Sequence, residues 1–391
     1  MKTVLISLVG GRPLPNIVLS QHVQPDNHYL IVSRDSVGAG RDYEKTLAAL
    51  PPAFAPKDTF VVAPYDLHET IDACQKIFAQ HPNDRIIINT TLGPKTMAFG
   101  AYDAGKTWHA QGADIEVCYL ARDQLVCLFA NQADQRVQIG LEAYCASYGW
   151  QGNWKTAPGD ERLAHLAMLL SKNIECTMAL LQILRSNDRG KGKRTCKSKE
   201  FIPEPEFGLL TSLEALGLVS NVRHEAQGTV WTILDQSAGE LLLSGDWLEY
   251  LVYTHAGGLK LPSGAQLLSE YGWGLEDAHR KGEIDFAGLY QGQLIIASCK
   301  TRPELRREWF EELRAKMDQL GKGMCSGMLV STISRASRKP TELADYQKWA
   351  QINQIVLVLA EDVPNLPAIL RKVALVQADL DPPEIAVYPR I

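Results

Sequence analysis

The sequence lacks any Cys-x-x-Cys pair and any Cys/His cluster at zinc spacing; its eight cysteines lie scattered at positions 74, 118, 127, 145, 176, 196, 299 and 325. Structural zinc sites are thereby disfavoured, and isolated thiols of this kind fit a reduced, cytoplasmic protein. No Gly-x-Gly-x-x-Gly occurs, and neither loop that follows an apolar strand with glycines (SLVGGRPLPN, NTTLGPKTM) carries Gly-x-x-x-x-Gly-Lys-Ser/Thr, which argues against an NAD-dependent oxidoreductase and a P-loop ATPase. No apolar run is long enough to cross a bilayer. The start, MKTVLISLVGGRPLP, is basic and then apolar, but it has no small-residue cleavage site and reads as a first buried strand. Excess positive charge is also missing: the net charge is −5, so any nucleic-acid surface must be local.

What is present is a globular composition, 46% hydrophobic and 22% charged, over 391 residues, a length that predicts two or three domains. Residues 1–150 alternate apolar runs (TVLISLVG, HYLIVSR, TFVVAP, RIIINTT) with amphipathic stretches such as DLHETIDACQKIFAQ. That alternation predicts a Rossmann-like parallel sheet covered on both faces, closed by a hairpin of ADIEVCYLAR and QLVCLFAN. Residues 151–238 read as a helical connector. They include a basic, linker-like segment, NDRGKGKRTCKSKE, and a weak helix–turn–wing outline in EPEFGLLTSLEALGLVSNV and TVWTILD. From 239 to 391 a long helix, a hairpin, an amphipathic helix and two apolar strands predict a second α/β domain. No internal repeat is visible.

Ligands of open α/β sheets sit beyond the carboxyl ends of the strands. Two such ends are distinctive. In SLVGGRPLPN, Ser7, Gly10 and Gly11 follow the first strand, and Pro15 and Asn16 open a helix. In NTTLGPKTM, Asn89, Thr90, Thr91, Gly93 and Lys95 lead into another, with Pro94 suited to the first helical position. Free amides, the helix dipole, a lysine and two hydroxyls make an anion cradle. Tight turns alone also use Gly and Pro, and for the first loop that reading weighs equally.

The second loop resembles the Asn-x-Thr-Gly-Gly-Thr-Lys-x-Met loop of CARF domains, the CRISPR-associated Rossmann folds that sense cyclic oligoadenylates, and the first loop is similar to its companion. Leu92 stands where that pattern has a Gly, and Pro94 where it has a Thr.

The stretch GEIDFAGLYQGQLIIASCKT, residues 282–301, reads as two strands joined at Gln291–Gly292, a type I′ turn. That turn sets Asp285 opposite Ser298 and Glu283 opposite Lys300, and the period of two puts all four on one face. A bulge would shift the pairing by one residue. Two carboxylates suit Mg²⁺ or Mn²⁺, and a lysine can orient a water or stabilise developing charge. The competing reading is a surface hairpin with a Glu283–Lys300 ion pair.

This arrangement resembles the Asp…[Asp/Glu]-x-Lys signature of PD-(D/E)XK nucleases. Asp285 and Lys300 match the first acid and the lysine, and Glu249 in GDWLEYLVY matches the helical acid. Ser298 departs from the pattern where a second acid belongs. The expectation is that Glu249, or Glu283 across the hairpin, supplies that carboxylate, with Ser298 and the Cys299 carbonyl near the metal. Together the two halves resemble the CARF–nuclease effectors of type III CRISPR systems, of the Can and Card type. The resemblance implies a homodimer that binds a cyclic oligoadenylate, cyclic tetra-adenylate favoured, and cuts DNA or RNA with a divalent metal, away from membranes. The alternative is a non-catalytic, nucleotide-sensing DNA-binding regulator with a degenerate nuclease domain.

Overall fold

A computed structural model describes residues 1–129, 135–155, 161–188, 193–234, 236–278, 282–321 and 323–376. The chain divides into two compact units, Met1–Gln151 and Gly152–Ile391.

The first unit holds strands β1 (Thr3–Leu8), β2 (Asn27–Ser33), β3 (Asp58–Val62), β4 (Arg85–Asn89), β5 (Ile115–Ala121), β6 (Gln124–Cys127) and β7 (Gln135–Arg136). Its helices are α1 (Leu14–Val23), α2 (Asp42–Ala49), α3 (Leu67–Gln80), α4 (Lys95–Ala110) and α5 (Leu141–Ser147). One sheet runs in the order β3-β2-β1-β4-β5-β6-β7, with β1 to β5 parallel and β6 and β7 antiparallel additions. The apolar runs of the sequence become its central strands. Val4, Ile6, Ile31, Ile86, Ile88 and Val117 are buried against α3 and α4, as a doubly covered parallel sheet requires. Asp66 caps α3 by accepting from the His68 and Glu69 amides.

The second unit begins with β8 (Gly152–Asn153), α6 (Glu161–Ser171) and α7 (Ile174–Asn187). There follow β9 (Arg194–Lys197), α8 (Glu204–Ala215), β10 (Val219–His224), β11 (Thr229–Ile233), α9 (Gln236–Leu243) and α10 (Asp246–Gly257). It ends with β12 (Glu270–Asp277), β13 (Glu283–Tyr290), β14 (Gln293–Lys300), α11 (Arg307–Gln319), β15 (Cys325–Ser331), α12 (Pro340–Asn353), β16 (Ile355–Val358) and α13 (Leu366–Val376). A six-stranded sheet has the order β16-β15-β14-β13-β12-β8, and a three-stranded one has β10-β11-β9. The linker-like segment therefore contributes a strand: β9 pairs with β11, burying Cys196 beside Trp231. Residues 189–192 of that segment lie outside the described residues. One apolar cluster extends from Leu166 to Ala374, so the expected connector and the expected nuclease-like region share a core.

The turn at Gln291–Gly292 has positive φ at both residues, 48° and 75°, the type I′ geometry. Pairing runs from Tyr290–Gln293 to Phe286–Ala297. Beyond that point β14 continues beside β15, pairing Ser298–Leu329, Cys299–Val330 and Lys300–Ser331, while β13 stays with β12 through Glu276–Glu283. The two hairpin strands diverge where the acids begin.

Phe286 is fully buried at this fork. Phe286→Ala is expected to cost about 3 to 5 kcal/mol of stability, read as a lowered urea midpoint with an unchanged slope.

Candidate functional site

In the second unit, α10 and the fork between β13 and β14 bring acids together. One oxygen each from Glu249, Glu283 and Asp285 lies within 4.8 Å of the others. Glu249 sits one turn into α10, whose apolar residues Trp247, Leu248, Leu251 and Val252 are fully buried. Gly245, just before the helix, leaves room for Thr301 at the end of β14; a Cβ there would lie 3.0 Å from the Thr301 hydroxyl. That fit seats the helix beside the hairpin.

Asp285 fills the opening of the fork. Its Oδ2 accepts from the Cys299 amide at 2.6 Å and from the Ser298 hydroxyl at 3.3 Å. Ser298 thus orients an acid rather than replacing one. The contact made by Cys299 is through its amide, and burial pushes its thiol well up, so the sulfur stays neutral. Lys300 Nζ lies 3.9 Å from Asp285 Oδ2 and 5.6 Å from the Trp309 ring centroid.

The expected Glu283–Lys300 pairing is not formed. Strand divergence carries Lys300 to Asp285 and leaves Glu283 beside Lys155, at 3.5 Å. The Glu283 carbonyl accepts from Lys316 Nζ at 2.6 Å.

Sequence reasoning missed Lys155 altogether. Its ammonium stands 3.2 Å from Asp246 and 3.5 Å from Glu249. It also lies 5.1 Å from the Trp273 ring centroid. Burial alone would lower its pKa, but Glu249, Asp246 and Glu283 outweigh that and hold the amine protonated. Its backbone amide bonds to the Trp273 and Gly274 carbonyls. The available signal was Gly-Trp-Gly at 272–274, since glycine inside a strand marks a close approach. A Cβ on Gly272 would lie 2.7 Å from the Trp154 ring, and one on Gly274 would strike the Lys155 stem.

Glu249 is only 9% exposed, and its Oε2 has no hydrogen-bond partner. Burial, then the Asp285 charge, push its pKa up to about 8, against the opposing pull of Lys155. A buried carboxylate short of partners, beside two more carboxylates, fits a hard divalent cation such as Mg²⁺ or Mn²⁺. Glu249, Glu283 and Asp285 are the residues that would hold it.

In the first unit, the two glycine-bearing loops meet. A Cβ on Gly10 would lie 2.8 Å from the Gly93 amide, and Gly93 has φ +80°, a conformation glycine adopts without cost. The polar residues around them face inward. Ser7 is fully buried and bonds His28. Asn16 donates to the Leu8 carbonyl, and Asn89 donates to Asn16. The Thr90 hydroxyl donates to the Cys118 carbonyl, and that of Thr91 to Asn89. The expectation that both hydroxyls donate to an anion is corrected: their protons shape the loop. Pro94 is the N-cap of α4, one position before the first helical residue, which is the exposed Lys95. Gly10, Gly11, Pro15, Gly93 and Lys95 remain at least partly accessible.

No family model matches the sequence, and no curated protein matches it. Solved structures do. Protein VC1899 from Vibrio cholerae is similar with a TM-score of 0.71 at 15% identity, over 96% of this chain and 98% of that one. Can2 from Sulfobacillus thermosulfidooxidans, solved in complex with cyclic tetra-adenylate, is similar with a TM-score of 0.65 at 18% identity, over 95% and 99%. A type III CRISPR defence DNA nuclease activated by cyclic oligoadenylate matches with a TM-score of 0.50 at 18% identity, over 89% of this chain and 52% of that one. The likeness is one of fold, and for the first two it runs nearly end to end. Among the described residues, no single helix is long and apolar enough to cross a membrane.

A Glu249 pKa raised from 4.5 to about 8 means the folded, metal-free protein binds more protons than the unfolded chain between those values. Stability from this group is full below pH 4.5 and is lost as pH rises through 8. Glu249→Gln is expected to flatten that slope, measured as the melting temperature against pH in the presence of a chelator.

Proposed function

We propose that this chain is a cyclic-oligoadenylate-activated, metal-dependent nuclease that cuts DNA or RNA phosphodiesters in type III CRISPR defence. The observation that carries the reading is the convergence of Glu249, Glu283 and Asp285, with Lys300 3.9 Å from Asp285. Its fold likeness to Can2 and to the activated nuclease supports the same assignment. On this reading residues 1–150 form the CARF-like sensor, 151–238 the connector and 239–391 the PD-(D/E)XK-like nuclease region, and the working form is a homodimer.

A divalent cation, when bound, supplies Lewis acidity toward the phosphodiester and toward an attacking water. The chain's own residues do the rest. Glu249, Glu283 and Asp285 would hold the cation through carboxylate oxygens. Ser298 and the Cys299 amide fix the Asp285 carboxylate, so it cannot rotate away. Lys300 presents an ammonium where charge develops on the phosphate. In the sensor, Gly10, Gly11 and Gly93 let backbone approach the ligand, and Lys95 at the start of α4 pairs with a phosphate.

A regulator that binds DNA without cutting it is the second reading. Against it, α8 opens with Glu204 and Glu206, and Lys197 and Arg223 of the wing are paired with Glu225. Acids at that helix end repel phosphates.

The test incubates the full chain with plasmid and single-stranded substrates and Mn²⁺, with and without cyclic tetra-adenylate. Activator-dependent scission that a chelator stops is the expected result, and Asp285→Asn is expected to abolish it at an unchanged melting temperature. DNA retained but never cut would establish the regulator instead. Lys95→Ala is expected to weaken activator binding by about tenfold, the loss of one charge-assisted contact.

A further inference from the structure

Two of the three clustered carboxylates share one cation, Lys155, while Asp285 has Lys300. Lys155 Nζ is 3.5 Å from both Glu249 and Glu283, yet its nearest partner is Asp246, at 3.2 Å, which is not one of the three. The amine therefore straddles two places: the acid cluster and a carboxylate at its rim. Its stem is not free to wander. Gly272 and Gly274 open the space it occupies, Trp273 lies under the ammonium, and the Lys155 amide is bonded to β12. Cγ, Cδ and Cε all pass over Gly274, so the stem is seated and only the ammonium at its end reaches the acids.

We infer that Lys155 is a positioning residue of the acid cluster: its ammonium compensates Glu249 and Glu283 in the metal-free protein, competes with a divalent cation for them, and withdraws to Asp246 when the cation binds. The inference rests on the metal-centre reading above. It follows from two constraints. An ionised Glu249, buried beside two further carboxylates, is costly without compensation, so an ammonium fills the role while no metal is bound. An ammonium at contact distance from the same oxygens repels an incoming dication, so it must yield or lower the affinity. Asp246, already its nearest partner, keeps the ammonium paired when it gives up the other two.

The experiment measures Mn²⁺ binding to the full chain without nucleotide, by electron paramagnetic resonance of free Mn²⁺ and by calorimetry. The variants are Lys155→Met, Lys155→Gln, Asp246→Asn, the Lys155→Met/Asp246→Asn pair, and Asp285→Asn as the site control. Methionine keeps an apolar stem over Gly274; glutamine serves if the first variant melts early. Lys155→Met is expected to tighten Mn²⁺ binding about tenfold or more, the scale on which one neighbouring charge shifts a carboxylate's proton affinity. Asp246→Asn is expected to weaken it in the wild-type background and to change it little once Lys155 is gone, a coupling that a purely structural lysine would not produce. Binding that needs Asp285 but is unchanged or weaker in both Lys155 variants would overturn the lysine inference and leave the metal centre standing. No Mn²⁺ binding to the wild type or to any variant would overturn the metal centre itself.

Discussion

Burying a carboxylate among other carboxylates is the constraint that shapes the second unit. Glu249 is carried inward because its helix is anchored by Trp247, Leu248, Leu251 and Val252, fully buried residues on either side of it. Once there, it faces Asp285 and Glu283, and low dielectric magnifies their repulsion. Several other features follow as answers to that problem. Lys155, two residues past β8, supplies positive charge from the edge of the sheet. Lys300 supplies it from the end of β14. Asp285 spends its own charge on the Cys299 amide and the Ser298 hydroxyl. What is left over is one oxygen of Glu249 that has no hydrogen bond and only the Lys155 ammonium, 3.5 Å away, for company.

The first unit handles polar groups in the opposite way. Ser7, Asn16, Asn89 and Thr90 are buried, and each hydrogen bond they make closes within the unit. The result is a rigid pair of turns in which Gly10 lies against Gly93. Rigid turns at strand ends offer backbone amides to a ligand without an entropy penalty for ordering them.

Much of this was legible in the sequence. The apolar runs around Val4, Ile31 and Ile88 could only be central parallel strands, and Gln291–Gly292 named its own turn. The expected register holds as far as Phe286–Ala297; the next pair, Asp285 and Ser298, is joined by a side-chain hydrogen bond and not by the ladder. Glu283 and Lys300 do not pair, because β14 keeps β15 along its length but loses β13 after Ala297, and no local pattern announces where a ladder will end. The hydroxyls of Thr90 and Thr91 were assigned outward because their loop composition is polar; their inward bonds depend on β5, some thirty residues away. Lys155 was illegible for a related reason. It lies more than ninety residues before Asp246 and Glu249, and only the spacing of Gly272 and Gly274 hints that something large must fit there.

Strand β8 has a consequence of its own. It contributes just two ladder pairs, Asn153 with Glu276 and Gly152 with Asp277, at the rim of its sheet. It is also where the covalent chain passes from the first compact unit into the second. Margins this short fray before anything central does. Fraying of β8 would free the backbone only as far as Asn153, because two residues on the Lys155 amide holds its own bonds to the Trp273 and Gly274 carbonyls, so the ammonium keeps its anchorage when the margin opens.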